Sequence, residues 1–264
     1  MSTTDRNNIL TLIESAEREA AELILHAHGI LAETKSGRRD VVTEYDRRVQ
    51  ELLIQRLSEA LPGAHFFCEE LDERDRLDAE QLFIIDPIDG TMNFVRGFQH
   101  SCISVAYAER GRVLAGAICN PYLGEMFHAV RGGGAFLNGR PIRVSDEPLS
   151  GSVVCFGSAP YRPDLSARSF SLARLLFDNS LDVRREGAAA LDLCSVAAGR
   201  AGLYFELDLS LWDYAAGALL VEEAGGVCRT AEGGALPFSA AKCSIVAASK
   251  GALESYLRLT GAEA

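Results

Sequence analysis

The apolar run Leu82-Phe83-Ile84-Ile85 passes straight into Asp86-Pro87-Ile88-Asp89-Gly90-Thr91. A buried strand that ends on a carboxylate places a charge at the lip of a sheet. Pro87 stiffens the turn that follows, and Gly90 lets the backbone approach whatever is bound there. Two hard oxygen ligands and freed backbone N–H groups suit a divalent cation together with a phosphate. The plainer reading is an acidic turn in which Asp89-Gly90 are ordinary turn residues. The stretch alone leaves both readings open.

Several function classes are disfavoured by composition. With 264 residues the chain can bury a large core, and 48% hydrophobic with 24% charged residues is the balance of a soluble globular protein. No apolar run reaches the length of a membrane span, and the polar N-terminus has no signal-peptide core. The seven cysteines are scattered and never form a CxxC pair, as expected of reduced core cysteines in the cytoplasm. A net charge of −11 argues against nucleic acid as a partner. A small anionic substrate stays open if metal ions supply positive charge locally.

Periodicity predicts an amphipathic helix from about Asp5 to Ala32, a basic loop at Lys35-Ser36-Gly37-Arg38-Arg39, and a helix from Thr43 to Leu61. Strands are expected at His65–Cys68, Leu82–Asp86, Cys102–Tyr107, Val113–Ile118 and Glu125–Ala129, with a short one near Ala135. From Ser152 onward strand and helix alternate: a strand at Val153–Phe156, a helix from Leu165, a helix at Gly187–Ala198, a strand at Gly202–Phe205 and a helix at Asp213–Ala224. Without a low-complexity linker, two subdomains sharing one interface are expected, residues 1–150 and 151–264.

Further carboxylates sit at segment ends. Glu69-Glu70 follows Phe66-Phe67-Cys68, Asp213 follows Leu211-Trp212, and Asp46 lies one turn after Thr43. Taken singly, Asp213 reads as a helix cap and Glu69-Glu70 as the start of the acidic loop Asp72-Glu73-Arg74-Asp75. Taken together, such carboxylates are costly to hold unless a cation neutralises them.

The set Glu69-Glu70, Asp86-Pro87-Ile88-Asp89-Gly90-Thr91-x-Asn93-Phe94 and Trp212-Asp213-x-Ala215-Ala216-Gly217, closing on Glu223-Ala224-Gly225-Gly226, resembles the inositol monophosphatase family. The resemblance runs from Ala16 to the C-terminus. It includes Lys35, Asp40-Val41-Val42-Thr43-x-x-Asp46, Gly132-x-Gly134-Ala135 with Asn138-Gly139, and Arg184-Arg185-x-Gly187-x-Ala189-Ala190-Leu191-Asp192. It implies a layered αβαβα sugar-phosphatase fold with an N-terminal α+β part and a C-terminal α/β part. It also implies a homodimer, and hydrolysis of a phosphate monoester by metal-activated water with two to three Mg²⁺ ions.

Carried over residue by residue, the resemblance implies that Glu69, Asp86, the carbonyl of Ile88, Asp89 and Asp213 ligate Mg²⁺. Glu70 and Thr91 would orient the attacking water, with Asp46 and Thr43 behind them. Asp89, Gly90, Thr91, Gly187, Ala188, Ala189, Glu206 and Lys35 would lie along the substrate, Glu206 as the acceptor for ring hydroxyls. Without the resemblance, Glu206 reads as a strand-end residue in solvent. No histidine nucleophile is needed, so His65, His100 and His128 read as structural or surface residues.

Three positions depart from the family pattern. Cys68 replaces a glycine and sets a thiol close to the expected metals, open to oxidation. Met92 replaces a threonine, and Ala188 replaces a hydroxyl residue on the substrate side. Inositol monophosphate is the leading substrate. Histidinol phosphate, fructose 1,6-bisphosphate and 3′-phosphoadenosine 5′-phosphate are the alternatives, the last disfavoured by Met92-Asn93-Phe94. A regulatory binding protein that has lost the chemistry is the reading from a different class.

Overall fold

Residues 3–37, 39–71 and 76–262 are described by the computed structural model, so Arg38 and the acidic stretch Asp72-Glu73-Arg74-Asp75 lie outside the described residues. Apolar residues at helical spacing, among them Ile9, Ile13, Ala16, Ala20 and Ile24, form the buried face of α1 (Thr3–Leu25). The helix ends before Ala32, and the chain turns at Gly29, whose φ of 61° suits glycine. Where a basic loop was expected, β1 (Ala32–Gly37) and β2 (Asp40–Thr43) form an antiparallel hairpin. Its polar sequence carries no alternation of apolar residues for a strand pattern to reveal. Thr43 and Asp46 then form a capping box that starts α2 (Glu44–Ala60).

The next elements are β3 (His65–Cys68), β4 (Leu82–Asp89), α3 (Thr91–Arg96), β5 (Cys102–Glu109), β6 (Arg112–Asn120), β7 (Glu125–Val130), β8 (Gly134–Leu137) and β9 (Arg140–Ile142). Their strands make a seven-stranded sheet in sequential order, with β3 parallel to β4 and each later pair antiparallel. The C-terminal part comprises β10 (Val153–Phe156), α4 (Ser166–Phe177), β11 (Asp182–Arg184), α5 (Ala189–Ala197), β12 (Leu203–Leu209), α6 (Leu211–Glu223), β13 (Val227–Arg229), β14 (Cys243–Ala248) and α7 (Lys250–Thr260). Its five-stranded sheet runs β11-β10-β12-β14-β13 and is mixed.

Three cores separate five layers. Phe83 and Ile85 face α1 and α2, whereas Leu82 and Ile84 face the other way, toward α5 and α6. The same middle core takes Cys155, Tyr204 and Ile245 from the smaller sheet. That sheet's far face, with Val154, Phe156, Phe205 and Val246, packs on α4 and α7. The order is therefore helix, sheet, helix, sheet, helix.

Because α6 is sandwiched between two sheets, it must be slim on every side. A Cβ on Gly217 would come within 2.6 Å of Leu193, and one on Gly116 of β6 within 3.1 Å of Ala216. The small residues Ala215-Ala216-Gly217 answer that constraint.

Candidate metal and phosphate site

A bulge near the end of β4 creates the site. The β4–β5 ladder pairs Ile85 with Val105 and Asp86 with Ser104, and then Asp89 with Cys102. Three steps along β4 thus match two along β5. The irregularity contains Pro87, which has no N–H to give to a ladder. Strand faces alternate, so Asp86 and Asp89 would otherwise point to opposite sides; the odd residue turns both to one side. Asp86 is 2% exposed and its Oδ1 has no hydrogen-bond partner. Burial, then Glu69, Asp89 and Asp213, push its carboxyl well above the usual range.

The neighbours arrive from separate elements. Glu69 extends β3 by one residue, its N–H donating to the carbonyl of Ile85 at 3.1 Å, which sets it beside Asp86. Phe67 packs on Trp212, ring centroids 5.5 Å apart, so the end of β3 and the start of α6 meet. Asp213 follows on the first turn of α6, where its Oδ2 accepts the N–H of Ser210 at 2.6 Å. Asp213 is thus the helix cap that sequence suggests, and it also faces the acidic cluster. Burial, followed by Glu69 and Asp89, raises its carboxyl well above the usual range.

Asp89 has a second task that sequence did not reveal. Ala188 at the N-cap of α5 has no side-chain cap, and the N–H of Ala190 donates instead to Asp89 Oδ2 at 2.7 Å. Burial pushes the Asp89 carboxyl up to about 7, against the N–H groups of Ala190 and Ala189. Asp89 is therefore tied to the loop Gly187-Ala188-Ala189. That loop also closes on Gly90, whose φ is 83° and whose added Cβ would meet His100 O at 3.0 Å, Ala188 Cβ at 3.1 Å and Gly187 O at 3.2 Å. Only glycine fits there. Asn93 stitches the two loops together, donating from Nδ2 to the carbonyls of His100 (2.7 Å) and Glu186 (2.8 Å).

A polar chain runs behind the carboxylates. Thr91 Oγ1 lies 3.0 Å from the carbonyl of Ile88 and 3.2 Å from Asp46 Oδ1. Asp46 Oδ2 accepts from the Thr43 N–H at 2.8 Å and hydroxyl at 2.5 Å. Burial pushes the Asp46 carboxyl up to about 6. The Glu70 N–H is held by Gln50 Oε1 at 3.0 Å, and burial, then Glu69, push its carboxyl up to about 7. Lys35, on β1, reaches Glu69 Oε1 at 3.0 Å and also bonds Glu70. Burial alone would pull its ammonium down, but Glu69 and Glu70 hold it above its ordinary value.

Glu206 is not a solvent residue, as its strand-end position suggested. It is 8% exposed, with Oε1 accepting from the Ala159 N–H at 3.0 Å and Oε2 from the Tyr204 hydroxyl at 2.8 Å. A Cβ at Gly157 would overlap its carboxylate, which explains the glycine. Cys68 also corrects an expectation. It is fully buried in the core shared with α1 and α2, on the face away from Asp86, and is not an accessible thiol. Met92 is 39% exposed, and Ala188 is buried against Gly90.

Sequence reasoning passed over Tyr161. It is half-exposed near the cluster; burial, then Glu69, Asp40, Asp213 and Glu206, raise its phenol. Nothing in Ala159-Pro160-Tyr161 signals that placement. Asn93 lay within the recognised motif, though its stitching role needs the fold.

The donors are carboxylate and carbonyl oxygens, and a buried Asp86 oxygen lacks any partner, so the residues fit a hard divalent cation. A layered αβαβα fold with this acidic crevice is that of the metal-dependent phosphatases. The chain belongs to the inositol monophosphatase family, whose sequence model matches residues 5–262. Among curated relatives, it is 39% identical over 205 residues to an inositol-1-monophosphatase of Rhizobium meliloti, covering 77% of each chain. It is 36% identical over 232 residues to a protein named Nus factor SuhB of Pasteurella multocida, covering 86% of this chain and 87% of that one. Among solved structures, the extragenic suppressor protein suhB of Bartonella henselae superposes with a TM-score of 0.88 at 33% identity, over 97% of this chain and 98% of the other. An IMPase/NADP phosphatase solved with Mg²⁺ and phosphate gives 0.83 at 26%, over 97% and 95%. No described helix is long and apolar enough to cross a membrane.

Proposed function

We propose that the protein is a Mg²⁺-dependent phosphomonoesterase acting on inositol monophosphate. The observation that carries the proposal is the buried, partnerless oxygen of Asp86 amid the fields of Glu69, Asp89 and Asp213. Removing several carboxylates from water without a cation is unfavourable, and an all-oxygen set selects Mg²⁺ among common ions. In this reading Glu69, Asp86, the Ile88 carbonyl, Asp89 and Asp213 hold the ions. When bound, Mg²⁺ activates water for in-line attack and neutralises charge on the phosphate and the leaving oxygen.

The remaining steps belong to the chain. Glu70, its N–H held by Gln50, orients the attacking water and accepts its proton. Thr91, braced by Asp46 and Thr43, fixes the direction of approach. The backbone at Gly90 and Thr91 meets the phosphate. Gly187, Ala188 and Ala189 line the leaving-group side, Glu206 accepts from ring hydroxyls, and Lys35 adds positive charge near Glu69 and Glu70. We take the working unit to be a homodimer, with residues 1–150 supplying most of the ligands and 151–264 supplying Asp213 and the substrate side.

Phosphate release from a panel of esters, including inositol, histidinol and fructose phosphates, with and without Mg²⁺, tests the assignment. The highest kcat/KM is expected for inositol monophosphate. A clear preference for another ester moves the substrate within the same chemistry. The relatives named Nus factor SuhB support a second reading, a binding function for this fold. Absence of Mg²⁺-dependent turnover on every ester would favour that reading over hydrolysis.

A further inference from the structure

Behind the Gly187 loop lies a second group of metal-ligating side chains that hydrolysis does not use. Cys155 at the end of β10, Glu186 before Gly187, and Asp192 in α5 each offer a ligand atom, all within 4.8 Å of one another. Cys155 and Asp192 are 3% and 1% exposed. One oxygen of Asp192, Oδ1, is buried with no hydrogen-bond partner. His100 borders the group on one side: its Nε2 is buried without a hydrogen-bond partner, 3.5 Å from a Glu186 carboxylate oxygen. Cys155, Glu186 and His100 open onto a cavity of about 390 Å³.

The surroundings do not neutralise these acids. Arg184 and Arg200 line the same cavity, but Arg184 is bonded to Asp182 and Arg200 to Glu125. The Asp192 carboxyl lies beside the Cys155 thiol, and burial, then Glu186, Glu206 and Asp89, push it well above the usual range. A buried carboxylate with no cation is the arrangement that proteins avoid. The frame is also fixed, because Asn93 binds the backbone carbonyls of both His100 and Glu186.

We infer that Cys155, Glu186 and Asp192 form a site for a borderline-soft divalent transition metal of the Zn²⁺ class, separate from the oxygen-lined site, with a fourth position open to the cavity. One sulfur and two carboxylates are donors Zn²⁺ accepts, its fourth position being left to water from the cavity, and Mg²⁺ does not favour sulfur. Binding would release the Cys155 proton to solvent and give the ion bonds to both the thiolate and the Asp192 carboxylate. The ion links β10, α5 and the loop that carries Gly187, and so pins that loop from behind.

The test uses Co²⁺ as a spectroscopic substitute, added to the full-length protein in excess Mg²⁺. A stoichiometric thiolate-to-Co²⁺ charge-transfer band is expected, displaced by Zn²⁺. Cys155→Ala should abolish the band, whereas Cys68→Ala and Cys194→Ala should retain it. Glu186→Gln changes a side chain that is 38% exposed, so folding survives. It should weaken Co²⁺ by roughly ten- to a hundredfold, at least what disturbing an outer partner of a bound metal costs. Absence of the band from wild type at saturation overturns the inference. So does a band that survives Cys155→Ala, one lost in Cys68→Ala, or a Glu186→Gln affinity equal to wild type.

Discussion

Asp89 stands in two structures at once. One of its oxygens caps α5 through Ala190, and its carboxylate faces the fields of Glu69 and Glu206. Asp89→Asn keeps the shape and an acceptor oxygen for Ala190 but removes the charge. Turnover should fall on the order of 10³-fold or more, since several kcal/mol of transition-state stabilisation would be lost. The thermal midpoint without metal should rise, because one repulsive carboxylate is gone. Wild-type kcat in saturating Mg²⁺ would remove Asp89 from the proposed ligands. Glu206 also combines packing with proposed recognition. Glu206→Ala should cost about 1.5–3 kcal/mol in kcat/KM on inositol phosphate, the range for a hydrogen bond to a charged group. A simple ester without ring hydroxyls should be nearly unaffected. Equal losses on both esters, with a lowered thermal midpoint, would mean that its bonds to Tyr204 and Ala159 are its whole role.

Among the elements, legibility followed apolar periodicity. α1, α2 and β4 are legible because each buries a face or lies buried throughout, although β4 runs on to Asp89 and so takes in both of its acidic residues. The β1–β2 hairpin was invisible for want of an apolar stripe, and β11 and β13, three residues each, are too short to show a period. The bulge that aligns Asp86 with Asp89 was also unreadable, because strand alternation predicts opposite faces until the ladder is seen. α6 shows how a cap and a proposed ligand coincide. Asp213→Ala should remove the bond to Ser210, worth about 1 kcal/mol of stability. As a ligand it should also raise the Mg²⁺ requirement and lower the rate steeply. Stability loss with an unchanged Mg²⁺ dependence would leave Asp213 as a cap alone.

Over the whole molecule, the acidic crevice couples stability to pH and metal. Asp46, Glu70 and Asp89 hold their carboxyls at about 6, 7 and 7, above their unfolded values of about 4. The folded chain therefore binds protons more tightly than the unfolded one. This contribution is complete below the unfolded values and is lost as pH rises through about 6 to 7. Without metal, the thermal midpoint should fall between about pH 4 and pH 7. Mg²⁺ needs the ionised carboxylates, so its stabilisation should grow over the same interval, reaching about 2.7 kcal/mol at a hundredfold excess over Kd. A metal-free midpoint that rises with pH would contradict the raised carboxyls.

The middle core has a bearing on how the molecule comes into being. α5 and α6 pack on one face of the seven-stranded sheet, yet they follow that sheet in the chain. A ribosome thus finishes the sheet well before it makes its lid. Until residue 223 has emerged, Leu82, Ile84, Ala106, Ile118, Phe127 and their neighbours stay greasy and bare to solvent or to any chaperone within reach. Residues 1–150 produced alone should bind a hydrophobic dye and precipitate, and co-expression with residues 151–264 should rescue them. A clear, monomeric fragment 1–150 that binds no dye would show that the sheet needs no such guardian during its birth.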